Sequence, residues 1–165
     1  MPQRSPRQLK AKPISESAVE MTEIALPTHS NALGTLFGGQ VMAWIDICAA
    51  IAAIRHARGV CVTASLDAMS FISPVHVGEF VLLKASVNFT GKTSMEVGVK
   101  VESEEPNTGV RTHVSSAYLT FVALDTHGKP RVIPPVKPVT AEEKRRFRQA
   151  QLRRAARLKL KEALA

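Results

Sequence analysis

A single acid, Asp46, lies within a long apolar segment of the sequence. Residues 40–57 read QVMAWIDICAAIAAIRHA, and no other Asp or Glu occurs among them. An unpaired carboxylate inside a packed helix costs roughly several kcal/mol, and Asp is a poor residue for a helix interior. Taken alone, Asp46 is best interpreted as a structural carboxylate, either paired across a subunit interface or located on an exposed stripe. The alternative interpretation is a general base.

Two residues that precede Asp46 favour the catalytic interpretation. Gly39 lies seven residues earlier, which is two helical turns, so it shares a helix face with Asp46. The first turn of a helix has free N–H groups, and at Gly39 they can polarise a carbonyl oxygen close to water held by the carboxylate. Asn31 lies in the loop that enters the helix, where its amide can orient the water or the carbonyl. Turn formation explains Asn31 equally well, because Ser30-Asn31 is a good turn sequence.

A third candidate is the polar turn Thr90-Gly91-Lys92-Thr93-Ser94. Its ordinary interpretation is a β-turn with a solvated lysine, but its backbone N–H groups, hydroxyls and ammonium group can also hold a phosphate. The sequence contains no G-x-S-x-G elbow, no P-loop and no G-x-G-x-x-G. Its five histidines and two cysteines have no metal-ligand spacing. No metal site is therefore predicted.

The pattern of apolar residues predicts an α+β fold in which strands surround one helix. Segment 40–57 is apolar around its circumference, which is typical of a buried helix, and Gly59 is expected to end it. Strands are predicted at 17–25, 60–71, 80–90, 95–102 and 111–124. In the hairpin of the third and fourth strands, one face is apolar, from Val81 to Phe89, and the other is expected to face water or a second subunit. An antiparallel sheet curved around the helix is the simplest arrangement.

The positive charge of the chain lies mainly at its two ends. The net charge is +8, yet residues 13–140 carry about −2, with nine basic and eleven acidic groups. We predict a disordered basic N-terminus at 1–13, one domain at 14–133, and a Pro-rich linker with a basic helix at 134–165. This helix is expected to be solvated and to pack through Phe147 and its leucines on a neighbouring subunit. Basicity confined to the ends does not define a nucleic-acid surface, so no specific nucleic acid is expected as a partner.

The sequence also bears on the location of the protein. It has no uninterrupted run of about 18 apolar residues, so no transmembrane segment is predicted. The basic N-terminus is not followed by the apolar stretch of a secretory signal. Cys48 and Cys61 both lie in apolar contexts, which fits a reducing compartment. A cytoplasmic location is expected.

Taken together, several segments of this sequence resemble those of the hot-dog-fold acyl-CoA thioesterases, in particular the bacterial short/medium-chain and brain-type acyl-CoA hydrolases. The resemblance covers roughly residues 15–160 and rests on the combined spacing N-x-x-G…G-G-x6-D and the G-K-T-S turn. The residues that carry it are Asn31–Gly34, Leu36–Gly39, Trp44–Asp46, Val62–Asp67, Phe71, Thr90–Ser94 and Asp125–Pro130. Some members of this group have His where this chain has Phe37.

This resemblance implies a fold, an assembly and a reaction. The implied fold is a long central helix wrapped by a five-stranded antiparallel sheet. The implied assembly is a homodimer, commonly built further into a trimer of dimers and hence a hexamer. The implied active site lies between subunits, with the residue matching Asn31 from one subunit and the residue matching Asp46 from the other. Coenzyme A is implied near the turn 90–94 as part of the substrate, so no separate cofactor is expected. The implied reaction is hydrolysis of acyl-CoA to free fatty acid and coenzyme A.

Alternatives in mechanism and function stay open at this level. Asp46 either activates water as a general base or attacks the thioester to form an anhydride, while the Gly39 N–H and Asn31 polarise the carbonyl or orient water. A non-catalytic acyl-CoA sensor would use the same pocket but has no need of Asp46. A hot-dog dehydratase requires a His paired with an acid near the helix, and neither His29 nor His56 has a convincing spacing. His56 is instead expected to be a cationic cap at the helix C-terminus.

Overall fold

The structure is a computed structural model that describes residues 9–165. Its helices and strands are, in chain order, β1 (Lys12–Pro13), β2 (Val19–Ile24), α1 (Gly38–Ala57), β3 (Cys61–Leu66), β4 (Phe80–Thr90), β5 (Ser94–Glu104), β6 (Arg111–Ala123), β7 (Val136–Lys137) and α2 (Ala141–Ala163). The five longer strands form one antiparallel sheet in the order β2-β4-β5-β6-β3, and β1 pairs in parallel with β7. The predicted α+β architecture with one long central helix is therefore confirmed.

The predicted disordered N-terminus falls mostly outside the described residues. Residues 1–8 are not described by the structure, whereas Lys12 and Pro13 form β1. The Lys12 N–H donates to the Pro135 carbonyl at 2.9 Å, and its ammonium group donates to the His56 carbonyl at 2.8 Å. The disordered segment therefore does not extend to residue 13, because these contacts attach the chain to the linker and to the end of α1.

The helix α1 ends differently from the prediction. It begins at Gly38 and ends at Ala57, and the following residue, Arg58, takes the left-handed conformation with φ 51°. Gly59 was predicted as the terminating residue, which is wrong by one position. Gly59 has a different role: a Cβ there would overlap the guanidinium of Arg131. That guanidinium donates to the Ala57 carbonyl at 2.7 Å, so Arg131 caps the helix end.

Only one side of α1 is buried. The buried side chains recur every three or four residues, as expected for one helix face; they include Val41, Ile45, Cys48, Ala49, Ala52 and Ala53. The other side exposes large apolar side chains, namely Met42, Ile47, Ile51 and Ile54, and Ile47 is 51% exposed. The predicted burial on every face is therefore wrong for a single chain, because the sheet curves around only part of the helix circumference.

By length and composition alone, α1 is apolar enough to cross a membrane. The core helix of a folded domain can have the same length and composition, and the sheet packs against the buried side of α1. Length and composition are therefore weak evidence for a membrane span.

The outer face of the sheet is covered by α2 of the same chain. The Phe147 ring of α2 packs against the Phe89 ring, with centroids 5.3 Å apart. Phe89 was predicted to share the inner face with Val87, but a shift of register at Asn88 turns it to the outer face. The predicted wet face is thus largely dry, and Phe147 packs on its own sheet rather than on a neighbouring subunit.

A buried ionic cluster holds α2 on this face. Glu96 is 2% exposed and pairs with Arg153 at 2.7 Å and with Arg157 at 3.2 Å. Arg157 also pairs with Asp67 at 2.8 Å, and the Arg153 guanidinium lies 3.6 Å from the centroid of the Tyr118 ring. Part of the positive charge of the C-terminal segment is therefore neutralised inside the domain rather than solvated.

His56 is buried and neutral rather than a cationic cap. Its Nε2 donates to the Pro134 carbonyl at 2.8 Å, and its Nδ1 has no partner within residues 9–165. Burial lowers the pKa of His56 below its ordinary value of 6.5, an effect that the hydrogen bond to Pro134 opposes. The prediction of a cationic cap is therefore wrong. Arg131 caps the end of α1, and the His56 imidazole lies in the interior.

We expect the free energy of unfolding to fall as the pH decreases below about 6.5. In that range the unfolded state binds a proton at His56 that the folded state does not bind, so stability rises with pH. The contribution is complete above the unfolded pKa and is lost as the pH falls toward the lowered folded pKa. Urea unfolding of wild type and His56→Gln, at one protein concentration, should show a shallower pH dependence for the variant. Parallel pH curves would contradict this assignment.

Candidate active site

Asp46 forms a hydrogen-bonded pair with Thr63 of β3. The Thr63 hydroxyl donates to Asp46 Oδ1 at 2.6 Å, which is typical of a hydroxyl bonded to a carboxylate. This bond orients one carboxylate oxygen, and no residue within 9–165 donates to the other. Sequence reasoning did not select Thr63 as a site residue. The available signal was the alternation of β3, which places Thr63 and Cys61 on the face that packs toward α1.

Asp46 lies on the exposed side of α1 rather than inside a packed helix. Met42 and Ile47 flank it on this side and are also exposed. The neighbouring strand β3 is at the edge of the sheet, so one side of its backbone has no strand partner among residues 9–165. A helix buried on every side, as the sequence predicts, would enclose Asp46, but in a single chain this carboxylate is exposed. The carboxylate becomes enclosed only when another surface covers this side of α1.

Gly39 is the second residue of α1 and is exposed, as Asp46 is. Seven residues of helix separate the two, which corresponds to about 10 Å along the axis. The N–H of Gly39 belongs to the first turn and has no acceptor inside the helix. The Phe37 ring lies against this residue, and a Cβ at Gly39 would overlap it. A larger residue at position 39 would therefore have to displace the exposed Phe37 ring.

The structure does not bring Asn31 to Asp46 within one chain. Asn31 instead organises its own loop, because its Oδ1 accepts from the Leu33 N–H at 2.9 Å and its Nδ2 donates to the Thr35 hydroxyl at 2.9 Å. The turn-forming role considered from the sequence is thus confirmed. Asn31 also borders a cavity of about 330 Å³, which is lined in addition by Leu36, Gly38, Val41, Phe71, Ile72 and Val114. This cavity is largely apolar and opens at the N-terminus of α1.

The segment 90–94 forms the turn between β4 and β5. The Gly91 N–H donates to the Ser94 carbonyl at 2.8 Å and closes the turn. The Lys92 carbonyl and the Thr90 hydroxyl accept from backbone N–H groups of the Pro-rich segment, at 3.1 and 2.9 Å. The turn is therefore attached to the segment that leads to α2. It makes no hydrogen bond to Asp46 or Asn31 within the part of the chain that the structure describes.

Neither cysteine is suited to act as a nucleophile. Cys48 is packed between α1 and the sheet, and burial raises the pKa of its thiol to about 11. Burial also raises the pKa of the Cys61 thiol. Because the reactive species is the thiolate, burial works against the reactivity of both groups. The carboxylate of Asp46 is left as the candidate reactive group on the exposed side of α1.

Comparison with known families and structures agrees with this geometry. Residues 33–110 match the sequence model described as the Thioesterase superfamily. A crystal structure of an apo-hexameric acyl-CoA thioesterase matches with a TM-score of 0.89 at 44% identity, covering 92% of this chain and 97% of that one. An acyl-CoA hydrolase of Staphylococcus aureus, solved with butyryl coenzyme A and coenzyme A, matches with a TM-score of 0.83 at 35% identity, covering 93% and 96%.

A sequence relative has a similar description. The protein YkhA of Bacillus subtilis (strain 168), described as an uncharacterized acyl-CoA thioester hydrolase, is 45% identical over 128 residues, which is 78% of this chain and 74% of that protein. The helix wrapped by five strands and the superfamily match together define a hot-dog thioesterase. Within that class, the chain belongs to the acyl-CoA thioester hydrolases. The family and the enzyme class predicted from the sequence are confirmed.

Structures of the Staphylococcus aureus enzyme with single alanine substitutions are also similar to this chain. The three substituted residues are an asparagine, an aspartate fifteen positions later and a threonine seventeen positions after the aspartate. In this chain, Asn31, Asp46 and Thr63 have the same residue types and the same spacing.

Proposed function

We propose that the protein hydrolyses acyl-CoA thioesters to free fatty acid and coenzyme A, with Asp46 as the group that activates water or attacks the thioester. The observation that carries this proposal is the Asp46–Thr63 pair on the exposed side of α1, two helical turns after the free N–H of Gly39. This arrangement combines a base and a carbonyl-polarising donor on one rigid element.

The chemistry assigns a separate task to each group. In the general-base route, Asp46 takes a proton from water as the water oxygen bonds to the thioester carbon. The developing oxyanion is stabilised by the Gly39 N–H, and collapse of the intermediate breaks the C–S bond, after which the coenzyme A thiolate takes up a proton. In the nucleophilic route, the carboxylate displaces the thiolate and water then hydrolyses the anhydride. In both routes Thr63 orients the carboxylate through Oδ1.

We place the complete site between two subunits of a homodimer. Within the described residues of one chain, the Asn31 side chain hydrogen-bonds inside its own loop and Asp46 to Thr63, so we assign the Asn31 that completes the site to the partner subunit. Two features provide a surface for that partner: the exposed apolar stripe of α1 and the unpaired edge strand β3. Assembly of such dimers into a trimer of dimers is supported by the hexameric thioesterase that this chain resembles. The acyl chain would occupy the apolar cavity beside Asn31.

Mixing two inactive variants is expected to restore activity. In a preparation of Asn31→Ala alone, every site lacks Asn31. In a preparation of Asp46→Asn alone, every site lacks Asp46. In a dimer with shared sites, random mixing gives about half mixed dimers, and one of their two sites has both wild-type residues. Coexpressed variants should therefore show about one quarter of the wild-type rate of thiol release. Activity no higher than that of the separate variants would place Asn31 and Asp46 in a site within one chain.

A second substitution separates the loop-forming role of Asn31 from its proposed role in the site. Asn31→Asp keeps the oxygen that accepts from the Leu33 N–H but lacks the amide donor. We expect this variant to fold like wild type, to be slow alone, and to be rescued by Asp46→Asn chains in the same way. The oligomer mass of each preparation, measured by light scattering, confirms that the subunits assemble.

A non-catalytic acyl-CoA sensor has no specific support in the structure, since binding alone does not require the Asp46–Thr63 pair. Release of free thiol from acyl-CoA by the wild-type protein separates the two functions directly. Binding without thiol release would favour the sensor. The cytoplasmic location stays a prediction.

A further inference from the structure

A polar cavity lies between the outer face of the sheet and the N-terminal half of α2. Its volume is about 270 Å³, and its lining includes Asn88 and Gly98 of the sheet and Glu142, Arg145, Arg146 and Arg153 of α2. These helical residues share one side of α2, because their spacings follow the period of a helix. None of the lining residues belongs to the turn 90–94 or to the proposed active site. The cavity is therefore separate from the groups that carry the proposed hydrolysis.

Asn88 presents a buried acceptor to this cavity. The residue is 2% exposed, and its Oδ1 has no hydrogen-bond partner in the described part of the chain. Its Nδ2 donates to Glu96 Oε1 at 3.4 Å. Exchanging the two ends of the amide would place an oxygen against the Glu96 carboxylate, so this contact fixes the orientation of the amide. Oδ1 is therefore an acceptor that requires a donor, because buried polar groups are rarely left unpaired.

The backbone of the sheet is shaped to hold this amide. The register of β4 against β5 shifts at Asn88, which makes Asn88 the extra residue of a bulge. Its amide lies over Gly98 of β5, where a Cβ would be only 2.5 Å from Asn88 Nδ2. A side chain at position 98 would therefore displace the amide. The bulge and the glycine together keep the acceptor at the base of the cavity.

The helix contributes a cation without a counterion to the same cavity. Arg146 has no carboxylate within 4.0 Å among residues 9–165, and its buried Nε has no hydrogen-bond partner there. The other cations of the lining are each paired with a carboxylate: Arg145 with Glu142, Arg153 with Glu96, Lys84 with Glu20 and Lys100 with Glu102. Arg146 is therefore a charged donor that requires an acceptor.

A small ligand satisfies both groups if it carries a negative charge and a hydroxyl. An anionic oxygen accepts from the Arg146 guanidinium, and the hydroxyl donates to Asn88 Oδ1. Inorganic phosphate has both features near neutral pH, because hydrogen phosphate retains at least one O–H. Sulfate has the same tetrahedral shape but no proton to donate, and a phosphate monoester loses its last proton at about pH 6. The chemistry of the cavity therefore favours hydrogen phosphate over these two anions.

We propose that this cavity binds hydrogen phosphate, with Arg146 as the cationic donor and Asn88 as the acceptor. The ion would connect α2 to the sheet, in addition to the buried cluster around Glu96 and the Phe147 contact. A ligand that binds only the folded state raises its stability, so phosphate is expected to stabilise the folded chain. The inference goes beyond the proposed function and does not depend on it.

The first test compares phosphate with sulfate on the full-length wild-type protein. Calorimetric titration at constant ionic strength should show saturable binding of phosphate with an affinity about 10-fold higher than that of sulfate, which cannot donate to Asn88. Binding of both anions with equal affinity would overturn the proposal. Absence of phosphate binding at millimolar concentrations would also overturn it, since the two buried groups would then be satisfied by water alone.

The second test removes each group in turn. Arg146→Gln should weaken phosphate binding about 10-fold, as for the loss of a charge-assisted hydrogen bond. It should also lose the increase in the urea midpoint that phosphate produces in wild type. Asn88→Ala should bind phosphate and sulfate with similar affinity, because the acceptor that distinguishes them is gone. If Asn88→Ala does not fold, the wild-type comparison of anions and the Arg146→Gln variant still decide the outcome.

The matched control is Arg148→Gln, which removes the same charge from an exposed position of α2 that does not line the cavity. This control should bind phosphate like wild type. Wild-type affinity in Arg146→Gln, or an equal loss of affinity in the control, would contradict the assignment. The rate of thiol release from acyl-CoA should be the same in Arg146→Gln and in wild type, and that assay tests the proposed function separately.

Discussion

Replacing Asp46 with asparagine is expected to lower kcat for acyl-CoA hydrolysis by about 10³-fold, in the range for removal of a general base. The substitution retains the shape of the side chain and an oxygen that can accept from Thr63. It removes the negative charge, and with it the ability to take a proton from water or to attack the thioester. The measurement is the rate of thiol release at saturating acyl-CoA, together with the KM.

Two further variants make this result specific. Thr63→Val keeps the shape of the side chain but cannot donate to the carboxylate, and we expect a loss in kcat of about 10- to 100-fold, as for one hydrogen bond to a charged group. Glu20→Gln changes an exposed acid on β2 that pairs with Lys84, and it should leave kcat unchanged. Folded Asp46→Asn that retains activity within about 10-fold of wild type would show that another group activates the water.

Removing both arginines around Glu96 is expected to destabilise the fold strongly. Arg153→Ala/Arg157→Ala leaves a buried carboxylate without its two partners, and a buried charge that loses its partners costs about 3–5 kcal/mol. The double variant should therefore unfold at a lower urea concentration than wild type. Limited proteolysis should cut α2 first, because this helix loses the contacts that hold it on the sheet.

Adding Glu96→Gln to the double variant distinguishes a buried charge from lost packing. The amide has a similar size but carries no charge, so the triple variant is expected to be more stable than the double variant. If the triple variant is as unstable as the double, the contribution of the arginines lies in their packing, including the contact of Arg153 with Tyr118. All unfolding curves require one protein concentration, because dissociation of an oligomer shifts the apparent stability.

The strand pattern shows how far local sequence can predict this fold. Alternation of apolar residues identified β4, β5 and β6 almost to their ends, because one face of each strand packs on α1 and period two is a local property. The same alternation failed at Phe89, where the register shifts by one residue against β5. A bulge depends on which strand is the neighbour and on its register, so it cannot be derived from the alternation of one strand.

The candidate site shows a similar division. Asp46 and Gly39 were identified because a helix has a fixed period, so a spacing of seven residues places both on one face. Thr63 was missed because its contact with Asp46 joins a helix to a strand seventeen residues later. Asn31 was identified by residue type, but its hydrogen bonds lie within its own loop. Its proposed meeting with the partner's Asp46 depends on an assembly that a single chain does not contain.

By itself, the sequence determined the order of helix and strands, the one acid in the central helix, and the membership of a thioesterase family. These follow from residue type and from the short periods of helices and strands. The tertiary structure decided which side of α1 is exposed, that α2 covers the outer face of its own sheet, and that Arg153 and Arg157 neutralise Glu96. Those features depend on residues far apart in the chain, whose contacts are set by the curvature and register of the sheet rather than by any local pattern.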